Sequence, residues 1–433
     1  MTTPEINTRP RPRVVIVGAG FGGTNVTREL MDGPFEITLI DRDNYHGFWP
    51  LLYQVATAGL GPEDIAHPVR GMFGDRANVH VRLGTVSGVD LDRRLVHIED
   101  EDDVEYDYLV LAAGSSTSDF GIPGVDEFAF PLKTLPDAVR LRNHILNSFE
   151  RADACPELMD DGLLTFVLAG GGPTGVEMAG ALSELIGQNL ARDFPHLDVT
   201  KARVVLVEML DHLLGGFSPQ SQAEALRTLQ AKGVEVRLNT AIAGVAEDEV
   251  TFKDGSSVRC RTVVWTAGIR ANPLADRLDV AKGKGGAIEV TSHLTLEGHP
   301  EVFVIGDLAS CQDRHGKPHP QVAQVAIQGA RHVARCIRGH VLGRPYKDFR
   351  YHNHGMMATI GRRSAVAEIP GGLKLRGTFG WVSWLAVHIV FLVGFRNRVV
   401  VLINWAWNYI SWERASRVIL DDNTTTPSGH HRA

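Results

Sequence analysis

Two short glycine-rich motifs in this chain have the residue types and the spacing to bind nucleotides. The motifs "GAGFGG" and "GGGPTG" both follow the pattern G-x-G-x-x-G, whose glycines are Gly18, Gly20 and Gly23 in the first and Gly170, Gly172 and Gly175 in the second. Glycines at this spacing let the backbone approach a dinucleotide pyrophosphate at the N-terminus of a helix. The chain therefore predicts two dinucleotide sites.

The elements around the first motif are those that a dinucleotide site requires. The apolar run "RVVIV" at 13–17 predicts a buried parallel strand, and "TNVTRELM" predicts the helix that follows it. A second strand, "FEITLID", ends at Asp41, 18 residues beyond Gly23, where a carboxylate can hold a ribose diol. With these neighbours, a nucleotide site is a better interpretation than a plain glycine turn.

The second motif has the same setting and an acidic residue of its own. The strand "LLTFVLA" precedes Gly170, and the strand "RVVLVE" ends at Glu208, 33 residues after Gly175. A carboxylate at this place favours the free 2′-hydroxyl of NAD(H) and repels the 2′-phosphate of NADP(H). The next residues, Met209 and Leu210, offer no arginine to hold a phosphate. The second site is therefore predicted to bind NADH.

Three further strand ends suggest how the chain builds these sites. "EVFVIGDLA" places Asp307 where it can bond the ribityl hydroxyls of a flavin, while "LVLAAGSST" (Ala112–Gly114) and "VVWTAGIR" (Ala267–Gly268) predict crossings between two nucleotide domains. We infer that the first site holds FAD and the second admits NADH to reduce it. The predicted fold is α/β, with one Rossmann-like domain inserted in another: an FAD-binding domain at 1–122 and 269–345, an NADH-binding domain at 123–268, and a small C-terminal quinone and membrane-contact domain at 346–433.

The composition excludes several other classes of protein. A formal net charge of −7 implies no general affinity for nucleic acid. The four cysteines, which are widely separated and form no C-x-x-C pair, argue against a disulphide framework, a zinc site or an iron–sulphur cluster. No metal site is predicted. The N-terminal "MTTPEINTRPRPR" has no apolar h-region, so we expect no signal peptide and a catalytic body in the cytoplasm.

The lack of a cysteine pair also limits where the electrons can go. Disulphide reductases pass electrons from the flavin to a pair of cysteines, and sulphide:quinone reductases also need redox cysteines. The isolated cysteines of this chain disfavour both classes. The electron acceptor is therefore expected to diffuse in, as a quinone, as oxygen or as a small protein.

The C-terminal segment favours an acceptor in a membrane. Residues 379–395 carry no formal charge, five of the seven tryptophans lie between Trp381 and Trp412, and segment 371–418 has six Lys or Arg against one Glu. Trp405, Tyr409 and Trp412 follow at helical spacing. Aromatic residues with a basic rim are typical of a helix that lies in the headgroup layer, and 17 residues are short of the ~20 needed to span a bilayer. A core or dimer-interface helix is the alternative.

These motifs together resemble those of a known family. "GAGFGG", "GGGPTGVE" and "VFVIGD" look like the flavoprotein reductases with two dinucleotide-binding domains. The stretches "NYHGFWPLLYQVATAGL", "AQVAIQGA" and "GMMATIGRRSAVAE", with the apolar C-terminus, narrow the resemblance to the type II NADH dehydrogenases, which are single-subunit NADH:quinone oxidoreductases that pump no protons. It extends roughly from Arg13 to Leu420.

The resemblance implies roles for particular residues. Gln324 and Gln328, four apart on one helix face, would lie at the quinone pocket and bond a quinone carbonyl, and Glu177 would assist proton delivery to the quinone. The spacing alone leaves simpler explanations open. The two glutamines could form a polar stripe on an ordinary helix, and Glu177 could be an acid that interacts favourably with the dipole of its helix. Further positions match cofactor-binding sites of the family: Phe21, Gly22, Arg42, Pro50, Gln54, Val86, Ala113, Gly114, Ala323, Pro173, Thr174, Ala267 and Gly268.

One departure from the family pattern concerns a cation. Where the family often has Y-x-D-K-G-x-M-A, this chain has "YHNHGMMA", so that Asn353 and His354 replace the Asp-Lys pair. A lysine is permanently charged, whereas an unperturbed histidine is cationic only below about pH 6.5. We therefore expect any role of that lysine to pass to His354 in a pH-dependent form.

The resulting expectation is a respiratory flavoprotein with tightly bound FAD, NADH as its substrate and a membrane quinone as its acceptor. It would lie on the lipid surface at the cytoplasmic face of the cell membrane, as a peripheral or monotopic protein, and form a homo-oligomer. Two alternatives stay open at this point. One is a soluble NADH oxidase or reductase of a small protein, and the other is a redox-sensing flavoprotein that binds NADH as a signal.

Overall fold

The computed structural model describes residues 11–411 and 416–420, which group into two compact units. The first unit contains the described residues up to His46, with His67–Ser116 and Ile269–Asn353. The second contains Gly47–Ala66, Thr117–Gly268 and the described residues from His354 onward. The predicted domain limits differ from this grouping, because residues 47–66 and the C-terminal segment cluster with the second nucleotide domain rather than apart from it.

The strands of the described residues follow one another in this order: β1 Arg13–Val17, β2 Glu36–Asp41, β3 Tyr45–Gly47, β4 Ala66–Pro68, β5 Val79–Leu83, β6 Val86–Asp90, β7 Leu95–Ile98, β8 Val104–Glu105, β9 Tyr108–Leu111, β10 Ser115–Thr117, β11 Ala129–Pro131, β12 Thr165–Ala169, β13 Arg203–Val207, β14 Glu235–Arg237, β15 Ile242–Val245, β16 Glu249–Phe252, β17 Ser257–Arg259, β18 Thr262–Trp265, β19 Ile269–Ala271, β20 Ile288–Glu289, β21 Thr295–Leu296, β22 His299–Val304, β23 Ala309–Ser310, β24 Met356–Gly361, β25 Ser364–Ile369 and β26 Leu373–Arg376.

The α-helices of the same residues are α1 Phe21–Leu30, α2 Leu52–Ala56, α3 Pro62–Ile65, α4 Val69–Phe73, α5 Val125–Phe128, α6 Leu135–Ala154, α7 Pro173–Glu184, α8 Ala191–Asp193, α9 Pro219–Ala231, α10 Ala323–Leu342, α11 Gly377–Phe391 and α12 Phe395–Ser411. A π-helical segment, Leu185–Leu190, continues α7. Helix α10 carries Gln324 and Gln328, which were predicted to share one helix face.

The first unit is built on a six-stranded sheet in the order β21-β22-β9-β1-β2-β5. Apart from the antiparallel pair β21–β22, the strands run parallel, and β1 lies between β9 and β2 with Val17 opposite Leu111 and Ile40. The last four residues of β1 are buried, as expected for a strand covered on both faces. Helix α1 leaves the carboxyl end of β1, and α1 and α10 pack against each other.

The second unit is built on a five-stranded parallel sheet in the order β11-β18-β12-β13-β14. All five residues of β12 are buried, and α7 follows its carboxyl end. The order reverses at β12, because the chain continues to β13 and β14 on one side and later returns to β18 on the other. Such a reversal creates a crevice at the carboxyl ends of the strands, where doubly wound folds bind ligands. The predicted α/β class with Rossmann-like folds is confirmed.

The C-terminal segment folds onto the second unit as an antiparallel hairpin layer and two helices. Strand β24 packs on α7 and β25 packs on α11. The carboxylate of Glu368 on β25 accepts hydrogen bonds from Ser218 N at 2.9 Å and Ser221 Oγ at 2.6 Å. These contacts join the hairpin to the N-terminus of α9.

The uncharged stretch at 379–395 forms most of α11 and the turn after it, and the aromatic residues that follow lie on α12. The chain turns at Leu392–Gly394, where Gly394 has φ +88°, and Arg398 Nε donates to the Leu392 carbonyl at 2.7 Å. Trp405 is only 3% exposed, so its expected place on a headgroup-facing surface is wrong. The side chain of Tyr409 and all of Trp412 lie outside the described residues. In the part of the chain that the structure covers, no helix has the length and apolar character needed to span a bilayer.

Candidate active site

The first glycine turn is closely packed where its backbone folds back and open where a ligand would approach. A Cβ at Gly18, which has φ +101°, would lie 2.4 Å from the Ala112 carbonyl oxygen, and one at Gly23 would lie 1.8 Å from that of Gly18. A Cβ at Gly20 would meet no atom within 4 Å. This combination fits the pyrophosphate of a dinucleotide at the N-terminus of α1. The turn can therefore accommodate a dinucleotide, and its occupation by FAD stays a prediction.

The carboxylate of Asp41 is tied to the backbone of this turn. It accepts a short hydrogen bond from Ala19 N and another from Asp43 N at 2.8 Å. Burial at the end of β2 raises the pKa of Asp41 above its usual value, although the two backbone N–H groups oppose this shift. The carboxylate orders the turn through these hydrogen bonds, and its predicted role of holding a ribose diol stays a prediction.

His46 is a residue of this site that sequence reasoning missed. It is 2% exposed, its Nδ1 donates to the Ala19 carbonyl at 2.8 Å, and its ring meets the ring of Phe21 edge-on at 5.3 Å. Burial lowers the pKa of His46 to about 4, so the ring is neutral at physiological pH. The only sequence signal is a histidine between apolar residues in "NYHGFW", shortly after Asp41.

Polar contacts in the first unit also connect the later predicted positions. Ser115 Oγ donates to the Asp307 carboxylate at 2.7 Å. Asn272 donates from Nδ2 to the Ala113 carbonyl at 3.2 Å and from its backbone N–H to the Gly114 carbonyl at 3.1 Å. The strand end that carries Asp307 and the crossing at 113–114 therefore lie side by side in one unit.

The second glycine turn repeats the geometry of the first. Gly170 has φ +106° and a Cβ there would lie 3.0 Å from Ala267 Cα, while a Cβ at Gly175 would lie 1.9 Å from the Gly170 carbonyl oxygen. A Cβ at Gly172 would again meet nothing within 4 Å. Pro173 and Thr174 begin α7, and Pro173 suits the first turn because its missing N–H has no helical partner there.

Glu208 in the second unit occupies the place that Asp41 has in the first. Its carboxylate accepts hydrogen bonds from Gly171 N at 2.6 Å and Leu210 N at 2.8 Å. The side chain therefore lies beside the turn, on the β13 side of β12. This arrangement is the one expected for an acid that binds the adenosine ribose of NADH.

Glu177 is a buried acid on α7 of the second unit. It is 8% exposed and accepts a hydrogen bond from Thr359 N of β24 at 3.2 Å. Burial raises the pKa of Glu177 to about 8, and this shift is opposed by the Thr359 N–H and by the nearby Trp384 indole. Among the residues that the structure describes, the indole N–H of Trp384 has no hydrogen-bond partner of normal geometry. Glu177 is thus a carboxyl group that holds a proton at neutral pH.

The two glutamines predicted at the quinone pocket have different surroundings. The Gln328 amide pairs with the backbone of His352, donating from Nε2 to the carbonyl at 2.8 Å and accepting from the N–H at 2.9 Å. Gln324 lies in the first turn of α10 and accepts from Tyr351 Oη at 3.3 Å. Gln328 therefore fixes the segment after α10, while Gln324 is placed at the start of the helix.

A cavity of about 80 Å³ opens within the second unit beneath the C-terminal helices. Gln54 lies in its wall, where its Oε1 accepts from Trp405 Nε1 at 2.8 Å. The rings of Trp384 and Trp405 lie 5.8 Å apart. The lining residues are Tyr53, Gln54, Thr57, Gly59, Ala181, Glu184, Asn189, Thr359, Gly361, Arg362, Trp381, Trp384 and Trp405.

The other predicted cofactor-binding and catalytic positions lie in turns, strands and helix ends of their units. Pro50 is in a 3₁₀ turn, Trp49–Leu51, before α2, and Val86 is the half-buried first residue of β6. The Arg42 side chain is 61% exposed beside Asp43, and Ala323 is the first residue of α10. His354 is exposed at the start of the C-terminal segment. Their roles toward a cofactor stay predictions.

The cysteines offer no redox pair. All four are free, and three of them, Cys260, Cys311 and Cys336, are buried, with pKa values that burial raises to about 11 or 12. A thiol that holds its proton is a poor nucleophile and a poor redox partner. Among the described residues, no group of three or more His, Cys, Asp or Glu side chains could hold a metal ion.

Comparison with known proteins identifies relatives along nearly the whole chain. Residues 12–330 match the family model of the pyridine nucleotide-disulphide oxidoreductases, and residues 353–411 match that of the NDH2 C-terminal domain. The type II NADH:quinone oxidoreductase Ndh of Mycobacterium tuberculosis is 38% identical over 95% of this chain and 91% of its own. The corresponding NdhA of the same organism is 40% identical over 94% of this chain and 89% of its own.

Solved structures share the fold. The structure of NDH2 from Plasmodium falciparum in complex with NADH covers 95% of this chain and 100% of its own, with a TM-score of 0.86 at 18% identity. The sulfide:quinone oxidoreductase of Aquifex aeolicus covers 89% of this chain and 92% of its own, with a TM-score of 0.72 at 19% identity. The matched family models and the identity to the mycobacterial proteins agree with the predicted resemblance. The chain belongs to the type II NADH:quinone oxidoreductase family.

Proposed function

We propose that this protein oxidises NADH and passes two electrons through FAD to a quinone, without pumping protons. The proposal is supported by two glycine turns of the same geometry, each with a carboxylate bonded to its backbone, in a chain whose cysteines cannot relay electrons. When bound, FAD supplies the two-electron relay between the nicotinamide and the quinone. The protein supplies binding, orientation and protons.

The first unit would hold FAD. The turn at 18–23 would cradle the pyrophosphate, and Asp41 would bond the ribose. The Asp307 carboxylate would face the ribityl chain. The neutral His46 keeps the turn in shape through its hydrogen bond to the Ala19 carbonyl, and it adds no charge beneath the phosphates.

The second unit would bind NADH at the turn of 170–175. Glu208 keeps two backbone hydrogen bonds and offers its remaining lone pairs to the ribose hydroxyls. A 2′-phosphate would bring negative charge against this carboxylate, which selects NADH over NADPH. Removal of a charge-assisted hydrogen bond of this kind costs about 1.5–3 kcal/mol, or roughly 10–100-fold in affinity.

Glu177 and Gln324 would serve the quinone. Because Oε1 of Glu177 accepts from Thr359, the other carboxyl oxygen would carry the proton. A group whose pKa is near 8 can release and recover a proton close to neutral pH. Gln324 would donate its amide N–H to a quinone carbonyl. Gln328 would act indirectly, through the backbone of His352.

The C-terminal helices would place the protein on the lipid surface at the cytoplasmic face of the membrane. Large apolar side chains on α11 and α12 are open to solvent, among them Phe379 at 81%, Ile403 at 60% and Trp407 at 57% exposure. Several large apolar side chains exposed on two successive helices support a membrane contact. Arg396 and Lys374 are exposed on the same segment and would attract anionic lipid. We further expect the protein to form a homo-oligomer.

An anaerobic flavin spectrum tests the proposed function. NADH should bleach the flavin absorbance, and a subsequent addition of quinone should restore it within the turnover time. A soluble oxidase would recover with oxygen but not with quinone. A redox sensor would stay reduced, in a long-lived charge-transfer complex, with either acceptor. Either of these outcomes would contradict the proposal.

A further inference from the structure

Phe120 is an unusual residue in the loop that follows β10. Its side chain is 65% exposed in the whole chain, and its backbone has φ +53°. A bulky residue seldom adopts a positive φ, because the left-handed region crowds its Cβ against the backbone. Because the ring is mostly exposed, hydrophobic burial does little to offset the cost of this backbone conformation. The presence of phenylalanine at this position therefore needs another explanation.

The loop that carries Phe120 is fixed to the end of β18. Trp265 Nε1 donates to the Ser118 carbonyl at 2.8 Å, and Ser118 N donates to the Gly268 carbonyl at 3.3 Å. Phe120 N in turn donates to Ser118 Oγ at 3.3 Å. These bonds hold the backbone of the loop at Ser118 and Phe120 in a defined position, although the Phe120 ring itself is exposed.

The ring rests against Gly268, at the carboxyl end of β18. A Cβ built on Gly268 would lie 2.2 Å from Phe120 Cζ, so the ring covers this glycine, and the φ of +72° at Gly268 favours glycine there. The preceding residue, Ala267, lies close to the second glycine turn, because a Cβ built on Gly170 would lie 3.0 Å from Ala267 Cα. Phe120 thus lies near the turn proposed to bind the NADH pyrophosphate, with only Gly268 and Ala267 between them.

The sheet order decides which half of a dinucleotide comes near this ring. Strand β12, which leads into the turn, lies between β13 and β18. Glu208, the acid for the adenosine ribose, lies on the β13 side. A dinucleotide whose pyrophosphate sits at the turn extends both ways across the crevice, so its other half must extend toward β18. The nicotinamide half therefore comes to the side where Gly268 and Phe120 lie.

We propose that Phe120 is a substrate-positioning residue whose ring contacts the nicotinamide half of NADH. This inference rests on the proposed function and adds a residue to it. A flat, preset aromatic surface favours a planar ring beside it at little entropic cost, because the loop is already ordered. The positive φ of Phe120 is then explained by the direction in which the loop must aim its side chain.

Binding of two nucleotides to the FAD-loaded protein tests the role of Phe120. NAD⁺ carries both halves of the dinucleotide and leaves the oxidised flavin unreduced, whereas ADP carries the adenosine half alone. By calorimetry, Phe120→Ala should weaken NAD⁺ binding about 5- to 10-fold and leave ADP binding unchanged. Phe120→Tyr should bind NAD⁺ as the wild type does. Glu208→Gln is the matched control and should weaken both ligands.

The kinetics give a second readout. In stopped-flow, Phe120→Ala should slow reduction of the flavin by NADH and leave its reoxidation by a soluble quinone unchanged. Unaltered NAD⁺ affinity and unaltered reduction would overturn the proposal. Equal weakening of NAD⁺ and ADP, or a tyrosine variant as weak as alanine, would show a structural role instead. If the wild type bound neither NAD⁺ nor ADP, the proposed function would fail, and the role of Phe120 with it.

Discussion

Replacing Glu177 by glutamine should make the stability of the holoenzyme less sensitive to pH. Burial among α7, β24 and Trp384 raises the pKa of this carboxyl from 4.5 to about 8. Between these values the folded protein keeps the proton and the unfolded chain releases it. The contribution of this proton to the free energy of unfolding is therefore fully present below pH 4.5, and it is lost progressively as the pH rises toward 8. A glutamine removes this titration.

The magnitude follows from the proton count. One proton bound only in the folded state lowers the free energy of unfolding by about 1.4 kcal/mol for each pH unit. Between pH 5 and pH 7, the free energy of unfolding of Glu177→Gln should therefore rise by about 2–3 kcal/mol relative to that of the wild type. Any loss from a poorer amide hydrogen bond to Thr359 is the same at both pH values and cancels in this comparison.

Thermal unfolding of the FAD-loaded proteins at pH 5 and pH 7 measures the effect. The midpoint of the variant should rise by about 5 °C relative to the wild type between the two pH values, given the size of the second unit. The control is Glu184→Gln on the same helix, where the carboxylate pairs with Lys232 Nζ at 2.7 Å and accepts from Arg362 N at 2.6 Å. That variant should be less stable at pH 7. A Glu177→Gln difference that is equal at pH 5 and pH 7 would refute the reasoning.

Three further predictions concern other parts of the site. Gly23→Ala should prevent FAD retention, because its Cβ would lie 1.8 Å from a carbonyl oxygen, whereas Gly20→Ala should fold and only weaken FAD binding; the flavin-to-protein absorbance ratio of the purified proteins checks both. Gln328→Leu should raise hydrogen exchange in the segment after α10 and slow quinone reoxidation more than NADH reduction, and equal slowing in stopped-flow would contradict this. Ile403→Asp should reduce co-sedimentation with anionic liposomes and keep dye reduction by NADH, whereas Trp405→Ala should lower the unfolding midpoint; an Ile403 variant that sediments like the wild type would place the lipid contact elsewhere.

The sequence by itself determined the two glycine turns and the buried strands that lead into them. Gly18 and Gly170 adopt positive φ and Gly23 and Gly175 have no room for a Cβ, so the motif reports a backbone geometry that other residues cannot adopt. The apolar runs before the glycines become buried parallel strands because a strand covered on both faces must be apolar throughout. The acids that follow, such as Glu208, are detectable because their distance along the chain is set by one strand and one helix.

Only the tertiary structure decided which way the other side chains face and what they contact. Trp405 fits a lipid-facing helix by its spacing, yet it lies inside, bonded to Gln54 from a segment far away in sequence. The Gln328 amide is taken up by the His352 backbone, and Glu177 keeps its proton because three elements close around it. Burial and hydrogen-bond partners are made by residues distant along the chain, and helical periodicity carries no record of which face those residues will cover.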